Sequence, residues 1–144
     1  MNNEKIEHLL KSGALFLPAA NERAIVLANS AFQQMKASTL PLAVSNFYME
    51  HGGVILGDAC MFPIDDVDRP GRSYILPGII KINREILHLD TLRGKTIWGQ
   101  NQFYFFMCDA TGSLYMQDVL TLSVLRKYGD FYQALSDCLL VGKV

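Results

Sequence analysis

The sequence predicts an α+β fold in which helices cover a central, mostly antiparallel sheet. Three observations predict it. Apolar residues follow a helical period in the first third of the chain, form short runs typical of strands in the middle, and return to a helical period near the end. Hydrophobic residues make up 50% of the 144 residues and charged residues 19%, which excludes a disordered chain. We therefore expect a single domain over residues 1–144, with N-terminal helices, about five to six strands and a C-terminal helix.

The first two helices are predicted from apolar residues at helical spacing. A short helix over residues 4–11 brings together Ile6, Leu9 and Leu10. A second helix begins near Asn21. Its single apolar stripe consists of Ile25, Ala28, Phe32 and Met35.

The third helix has the clearest predicted start. Thr39 can act as its N-cap, and Pro41 falls in the first turn, where a missing N–H does no harm. Its apolar face consists of Leu40, Val44, Phe47 and Tyr48. The pair Gly52-Gly53 supplies the permissive backbone that ends the helix.

The middle of the chain predicts a series of short strands. Residues 64–72 contain three aspartates, a proline and a glycine and are expected to form a loop. Residues 84–93 are expected to hold a turn of helix. The predicted strands cover 54–56, 60–62, 73–76, 79–83, 95–98, 103–108 and 113–117.

The strongest strand signal is the aromatic run over residues 103–108. It is nearly all apolar and too short for a lone helix, so we expect a central strand that is covered on both faces. Asp109 and Gly112 then begin and end a four-residue stretch that is typical of a type I turn with a glycine bulge. We therefore expect a hairpin between this strand and residues 113–117.

The last part of the chain predicts helix again. Leu122 and Leu125 are assigned to one or two helical turns, and Asp130 can cap the final helix. The apolar face of that helix consists of Phe131, Ala134, Leu135, Cys138 and Leu139.

Composition also restricts the class of partner and the compartment. The formal net charge is −1, which argues against a general nucleic-acid binder, since such a protein needs a basic surface. No basic segment followed by an apolar stretch stands at the N-terminus, and no apolar run reaches the length of a membrane span. With three widely separated cysteines in addition, we expect a cytoplasmic protein with reduced thiols and no membrane contact.

The spacing of reactive residues predicts no catalytic, cofactor or metal site. His8, His51 and His88 are scattered, and no two cysteines stand at ligand spacing. No phosphate-binding motif is present. The least improbable nucleophile is Cys108, beside Asp109, although its place in an apolar strand favours a packing role.

Two groups of residues are candidates for binding a partner. Asp65, Asp66 and Asp68 follow Asp58 closely, and Arg69 and Arg72 come directly after them. The aspartates form a solvated loop whose charges are partly neutralised by these arginines, an acidic edge for a basic partner, or carboxylates for acid–base chemistry. Trp98 stands before a glycine and two amides at the end of a predicted strand. It is either an aromatic anchor at an interface or a core residue, and the sequence leaves both alternatives open.

The order of these motifs resembles the SUKH superfamily, which includes the yeast cell-wall synthesis regulator and many bacterial immunity proteins. The resemblance covers residues 39 to 141. It rests on the Leu-Pro entry to a helix at 39–42, the aromatic strand that ends in Asp-x-x-Gly at 105–112, and the closing amphipathic helix. Many members have Asn-Gly where this chain has Gly52-Gly53, and the backbone requirement is the same.

The resemblance implies a non-enzymatic binding domain, commonly one that neutralises a nuclease or deaminase toxin. In that interpretation a cognate toxin domain is the partner, no cofactor is needed, and the contacts come from Asp65, Asp66, Asp68 and Trp98. A regulatory or scaffold module of the cell-wall regulator type is the alternative. A small hydrolase that uses Cys108 or a carboxylate pair is a third, less favoured hypothesis.

Overall fold

A computed structural model describes residues 2–68, 75–86 and 93–140, which form five helices and nine strands. The helices are α1 (Asn2–Lys11), α2 (Glu22–Gln34), α3 (Leu42–Glu50), α4 (Ile79–Glu85) and α5 (Phe131–Leu140). The strands are β1 (Leu15–Phe16), β2 (Val54–Leu56), β3 (Ala59–Met61), β4 (Val67–Asp68), β5 (Ile75–Leu76), β6 (Lys95–Gln100), β7 (Tyr104–Asp109), β8 (Leu114–Asp118) and β9 (Val124–Tyr128). The predicted α+β class is confirmed.

The main sheet is antiparallel throughout the described residues. Its seven strands lie in the order β1-β2-β3-β6-β7-β8-β9, and β4 and β5 form a separate two-stranded hairpin. The expected five to six strands is therefore too few for the sheet. The two strands that sequence analysis missed are its edges, β1 with two residues and β9.

Helix α5 covers one face of the sheet and contacts six of its strands. Phe131 of α5 packs against Trp98 of β6 with ring centroids 5.3 Å apart, and against Phe47 of α3 at the same distance. The predicted apolar face of α5 is buried completely. Aromatic packing therefore joins the sheet, α3 and α5 into one core.

The predicted stripes of α2 and α3 are confirmed within each helix, although the start of α3 is not where we predicted it. Ile25, Ala28 and Phe32 of α2 are buried, as are Val44, Phe47 and Tyr48 of α3. Met35 is instead the half-buried C-cap of α2, and Leu40 is buried but precedes α3. Helix α3 begins at Leu42 with Pro41 at the N-cap position, so Thr39 does not cap it. A proline disfavours helical backbone at the residue before it, which keeps the chain extended up to Pro41.

Two predicted elements have the wrong type. Residues 79–83 form helix α4, not a strand, because short apolar runs do not distinguish the two by period. Leu125 lies in strand β9, and Leu122 lies in the preceding turn with φ 62°, so neither is helical. The described part of the predicted strand 73–76 is β5, and the described part of the loop 64–72 includes β4. Residues 69–74 and most of the predicted helical turn at 84–93 lie outside the described residues.

The predicted hairpin after the aromatic strand is confirmed. The amide of Gly112 donates a hydrogen bond to the carbonyl of Asp109 at 3.0 Å, and Gly112 has φ 82°, which favours glycine. No helix in the described ranges combines the length and the apolarity needed to cross a bilayer.

Candidate partner-binding surface

Trp98 is a core residue, which corrects its assignment to a partner-binding surface. Its side chain is completely buried, between Phe106 at 5.6 Å and Phe131 at 5.3 Å. The sequence places an aromatic residue before a glycine, and a β-bulge between Ile97 and Gly99 explains that pattern. Of the two alternatives that the sequence left open, the structure supports the packing role.

The three aspartates after β3 are exposed. Asp65 and Asp66 precede β4, and Asp68 is the second residue of β4, where it lies opposite Ile75 of β5. Asp58 is also exposed but lies in the turn before β3, at the other end of that strand. The structure therefore brings three of the four carboxylates together and separates the fourth.

Hydrogen bonds hold this segment against the start of α4. The amide of Gly78 donates to Oδ1 of Asp66 at 2.6 Å, and the amide of Ile79 donates to the carbonyl of Pro63 at 2.7 Å. A Cβ atom on Gly78 would lie 2.6 Å from the carbonyl oxygen of Ile64, so only glycine permits this approach. Asp66 is thus a positioning residue, whereas Asp65 and Asp68 have side chains that face solvent.

An exposed apolar side chain lies opposite Asp68 in the hairpin. Ile75 is 59% exposed, while its neighbour Leu76 is buried, as expected for alternate residues of a strand with one covered face. We call Asp65, Asp66, Asp68 and Ile75 the acidic hairpin. Ile75 could not be predicted as a candidate contact, because the alternation of a two-residue strand cannot be recognised from the sequence without knowing which face is covered.

The cysteines form no reactive site. All three are buried. Burial raises the pKa of the Cys108 thiol to about 12, and burial also raises the pKa of Cys138 well above its ordinary value. A thiol that is protonated and enclosed cannot attack a substrate, so the structure argues against Cys108 as a nucleophile.

The described residues contain no group of three His, Cys, Asp or Glu side chains close enough to hold a metal ion. His88 lies outside these residues.

No protein-family model matches the chain, and no curated protein matches it. The resemblance to the SUKH superfamily therefore stays a prediction from the sequence motifs.

Proposed function

We propose that this chain is a protein-binding domain of immunity type, which neutralises a nuclease or deaminase toxin by covering its active surface. The motif order from residue 39 onwards supports this proposal. The observation that carries it is the acidic hairpin, where the exposed Ile75 lies opposite the exposed Asp68 and where Asp66 accepts a hydrogen bond from the amide of Gly78. Such a surface needs little ordering when it binds.

The charge of the acidic hairpin fits a basic partner. An enzyme that binds nucleic acid needs a positively charged surface around its active site. Carboxylates are attracted to that surface for the same reason as the phosphates of the nucleic acid. Asp65 and Asp68 would meet cationic side chains at the rim of the contact, and Ile75 would occupy an apolar position between them. Asp66 would act indirectly, because its hydrogen bond to Gly78 keeps the hairpin in position.

The first experiment identifies the partner and tests its toxicity. The tagged chain is used to capture proteins from the native host, and the captured protein is identified by mass spectrometry. That protein is then expressed alone and together with the chain in a susceptible bacterium. We expect growth arrest when it is expressed alone and recovery when the chain is present. An adjacent gene for a large secreted toxin would add support.

The second experiment tests the surface. Asp65→Lys/Asp68→Lys reverses two exposed charges and leaves Asp66 intact, and Asp58→Lys/Glu50→Lys is a matched control with two exposed charges elsewhere. We expect the first variant to weaken binding of the identified toxin by at least about tenfold in calorimetry, and the control to change it by less than about twofold. Equal affinities for both variants would contradict the acidic hairpin as the binding surface.

The outcome also separates the alternative functions. A captured partner that does not impair growth would support the regulatory or scaffold role instead. Failure to capture any partner, together with turnover of a substrate by the purified chain, would contradict a binding function.

A further inference from the structure

Strand β9 forms one edge of the main sheet. Within the described residues it pairs only with β8, so its other side presents backbone N–H and C=O groups to solvent. Four of its five residues are exposed, and they include Val124 at 50% and Leu125 at 51%. An exposed edge with two apolar side chains can accept a further strand.

The β9 edge carries positive charge. It contains Arg126 and Lys127, and no acidic residue occurs between Asp118 and Asp130. Arg126 is already paired with Asp137 of α5, at 2.8 Å between Nη1 and Oδ2. Lys127 has no ion pair among the described residues, and its ammonium group lies 5.6 Å from the ring centroid of Tyr115.

A second lysine lies over the same ring. The ammonium group of Lys95 is 5.0 Å from the centroid of Tyr115 and donates a hydrogen bond to Oε1 of Gln117 at 3.0 Å. Gln117 is itself buried and donates from Nε2 to the carbonyl of Leu122. Two ammonium groups thus lie over one aromatic ring of β8, the strand that pairs with β9.

The nearby carboxylate of Asp109 forms hydrogen bonds, and it has no ion pair with Lys95 or Lys127 among the described residues. It accepts hydrogen bonds from Thr111, Ser113 and the hydroxyl of Tyr115.

The charges discriminate between possible occupants. A second copy of this chain, paired antiparallel about Arg126, would place both Lys127 side chains on the same face of the paired strands, whereas Arg126 is already paired with Asp137. Like charges on paired strands are destabilising. An extended segment with acidic residues would instead gain both strand hydrogen bonds and charge pairing.

We propose that the β9 edge, defined by residues 124–128, binds an extended acidic segment of a partner protein, which adds to the sheet as a further strand beside β9. Carboxylates of this segment pair with Lys127, and its apolar side chains contact Val124 and Leu125. This surface has the opposite charge to the acidic hairpin, and the inference does not depend on the function proposed above.

The test uses the full chain and a displayed library of random ten-residue peptides. Peptides that bind are sequenced, and the most enriched one is synthesised with a fluorescent label for anisotropy measurements. We expect an enriched pool with net negative charge and alternating apolar residues. We also expect slower amide hydrogen exchange at residues 124–128 when the peptide is bound.

Two variants locate the site, with one control. Lys127→Glu should lower the affinity for the peptide by at least about tenfold. Lys81→Glu, at an exposed lysine of α4, should change that affinity by less than about twofold. Leu125→Pro should abolish binding by blocking the edge. Leu125 has no partner residue in β8, so proline is better tolerated there than at its neighbours.

Three results would overturn the proposal: no enriched peptide, an enriched pool without negative charge, or equal weakening by Lys127→Glu and Lys81→Glu. A fourth result would show that the edge binds a second copy of this chain and not a segment of a partner protein. In that case light scattering would show a dimer of the native chain that Leu125→Pro converts to a monomer. If Leu125→Pro does not fold, the two lysine variants decide.

Discussion

The side chain of Asn83 takes the place of a strand partner for Ile97. Its Oδ1 accepts from the amide of Ile97 at 2.8 Å, and its Nδ2 donates to the carbonyl of Ile97 at 2.9 Å. Strand β3 pairs with β6 only near Gly99 and Gln100, so Ile97 lies beyond that ladder. Nδ2 also donates to the carbonyl of Ile79, which ties the sheet to the first turn of α4.

We expect Asn83→Ala to lower the free energy of unfolding by about 3 kcal/mol, because it leaves buried backbone groups of Ile97 without partners. Asn83→Asp should be at least as harmful at neutral pH, since a carboxylate cannot donate to the two carbonyls. Urea denaturation monitored by circular dichroism measures both variants. Lys81→Ala, on the exposed side of α4, should stay within about 0.5 kcal/mol of the native chain. An equally small effect of Asn83→Ala would contradict the proposed role.

The same contact explains why part of the fold could not be predicted from the sequence. The periodic helices α2 and α5 and the turn at Asp109–Gly112 were predictable, because their signals are local. Whether residues 79–83 form a helix or a strand depends on where β3 ends. Beyond that point the backbone of Ile97 bonds to the side chain of Asn83, and this is a long-range contact.

The candidate binding surface was likewise predictable only where its signal is local in the sequence. The cluster Asp65, Asp66 and Asp68 is visible in the sequence because its members are close along the chain. The buried position of Trp98 and the exposed position of Ile75 depend on which side of each strand the helices cover. Similarly, the edge position of β9 follows from strand order, which a single sequence does not specify.

Lys36 ends α2 in a left-handed conformation that favours glycine. Its φ is 59°, its amide donates to Gln33, and the amide of Ala37 donates back to Phe32. Because Lys36 is exposed and a side chain at this backbone position is strained, we expect Lys36→Gly to raise the free energy of unfolding by about 1 kcal/mol. Gln33→Gly, inside the same helix, should lower it by about 0.5 to 1 kcal/mol. Thermal and urea unfolding provide the measurement, and destabilisation by both glycines would show that Lys36 is not strained.

Asp109 should make stability depend on pH in the acid range. Partial burial alone would raise the pKa of Asp109, but hydrogen bonds from Thr111, Tyr115 and Ser113 outweigh this effect and lower the pKa below its ordinary value. A lowered pKa in the folded state stabilises the fold above the unfolded value of about 3.9, and the stabilisation is lost as the pH falls through the folded pKa.

We therefore expect Asp109→Asn to cost about 1 kcal/mol at neutral pH, since it removes hydrogen bonds to a charged acceptor. The difference from the native chain should be constant above about pH 5 and shrink as the pH falls below about 4. Urea unfolding at a series of pH values measures this difference. A pH-independent deficit for Asp109→Asn would contradict the assignment.

The three thiols should be inert in the folded protein. Cys60, Cys108 and Cys138 are buried, and burial raises the pKa of Cys108 to about 12, so neither access nor ionisation favours reaction with a disulfide reagent at neutral pH. We expect no fast labelling of the native chain and labelling of all three cysteines after unfolding in guanidinium. A Ser30→Cys variant, which places a thiol on the exposed side of α2, should react at once and confirms that the reagent is active. One fast thiol in the native chain that disappears in Cys108→Ala would contradict the enclosed position of Cys108 and revive the hypothesis of a cysteine hydrolase.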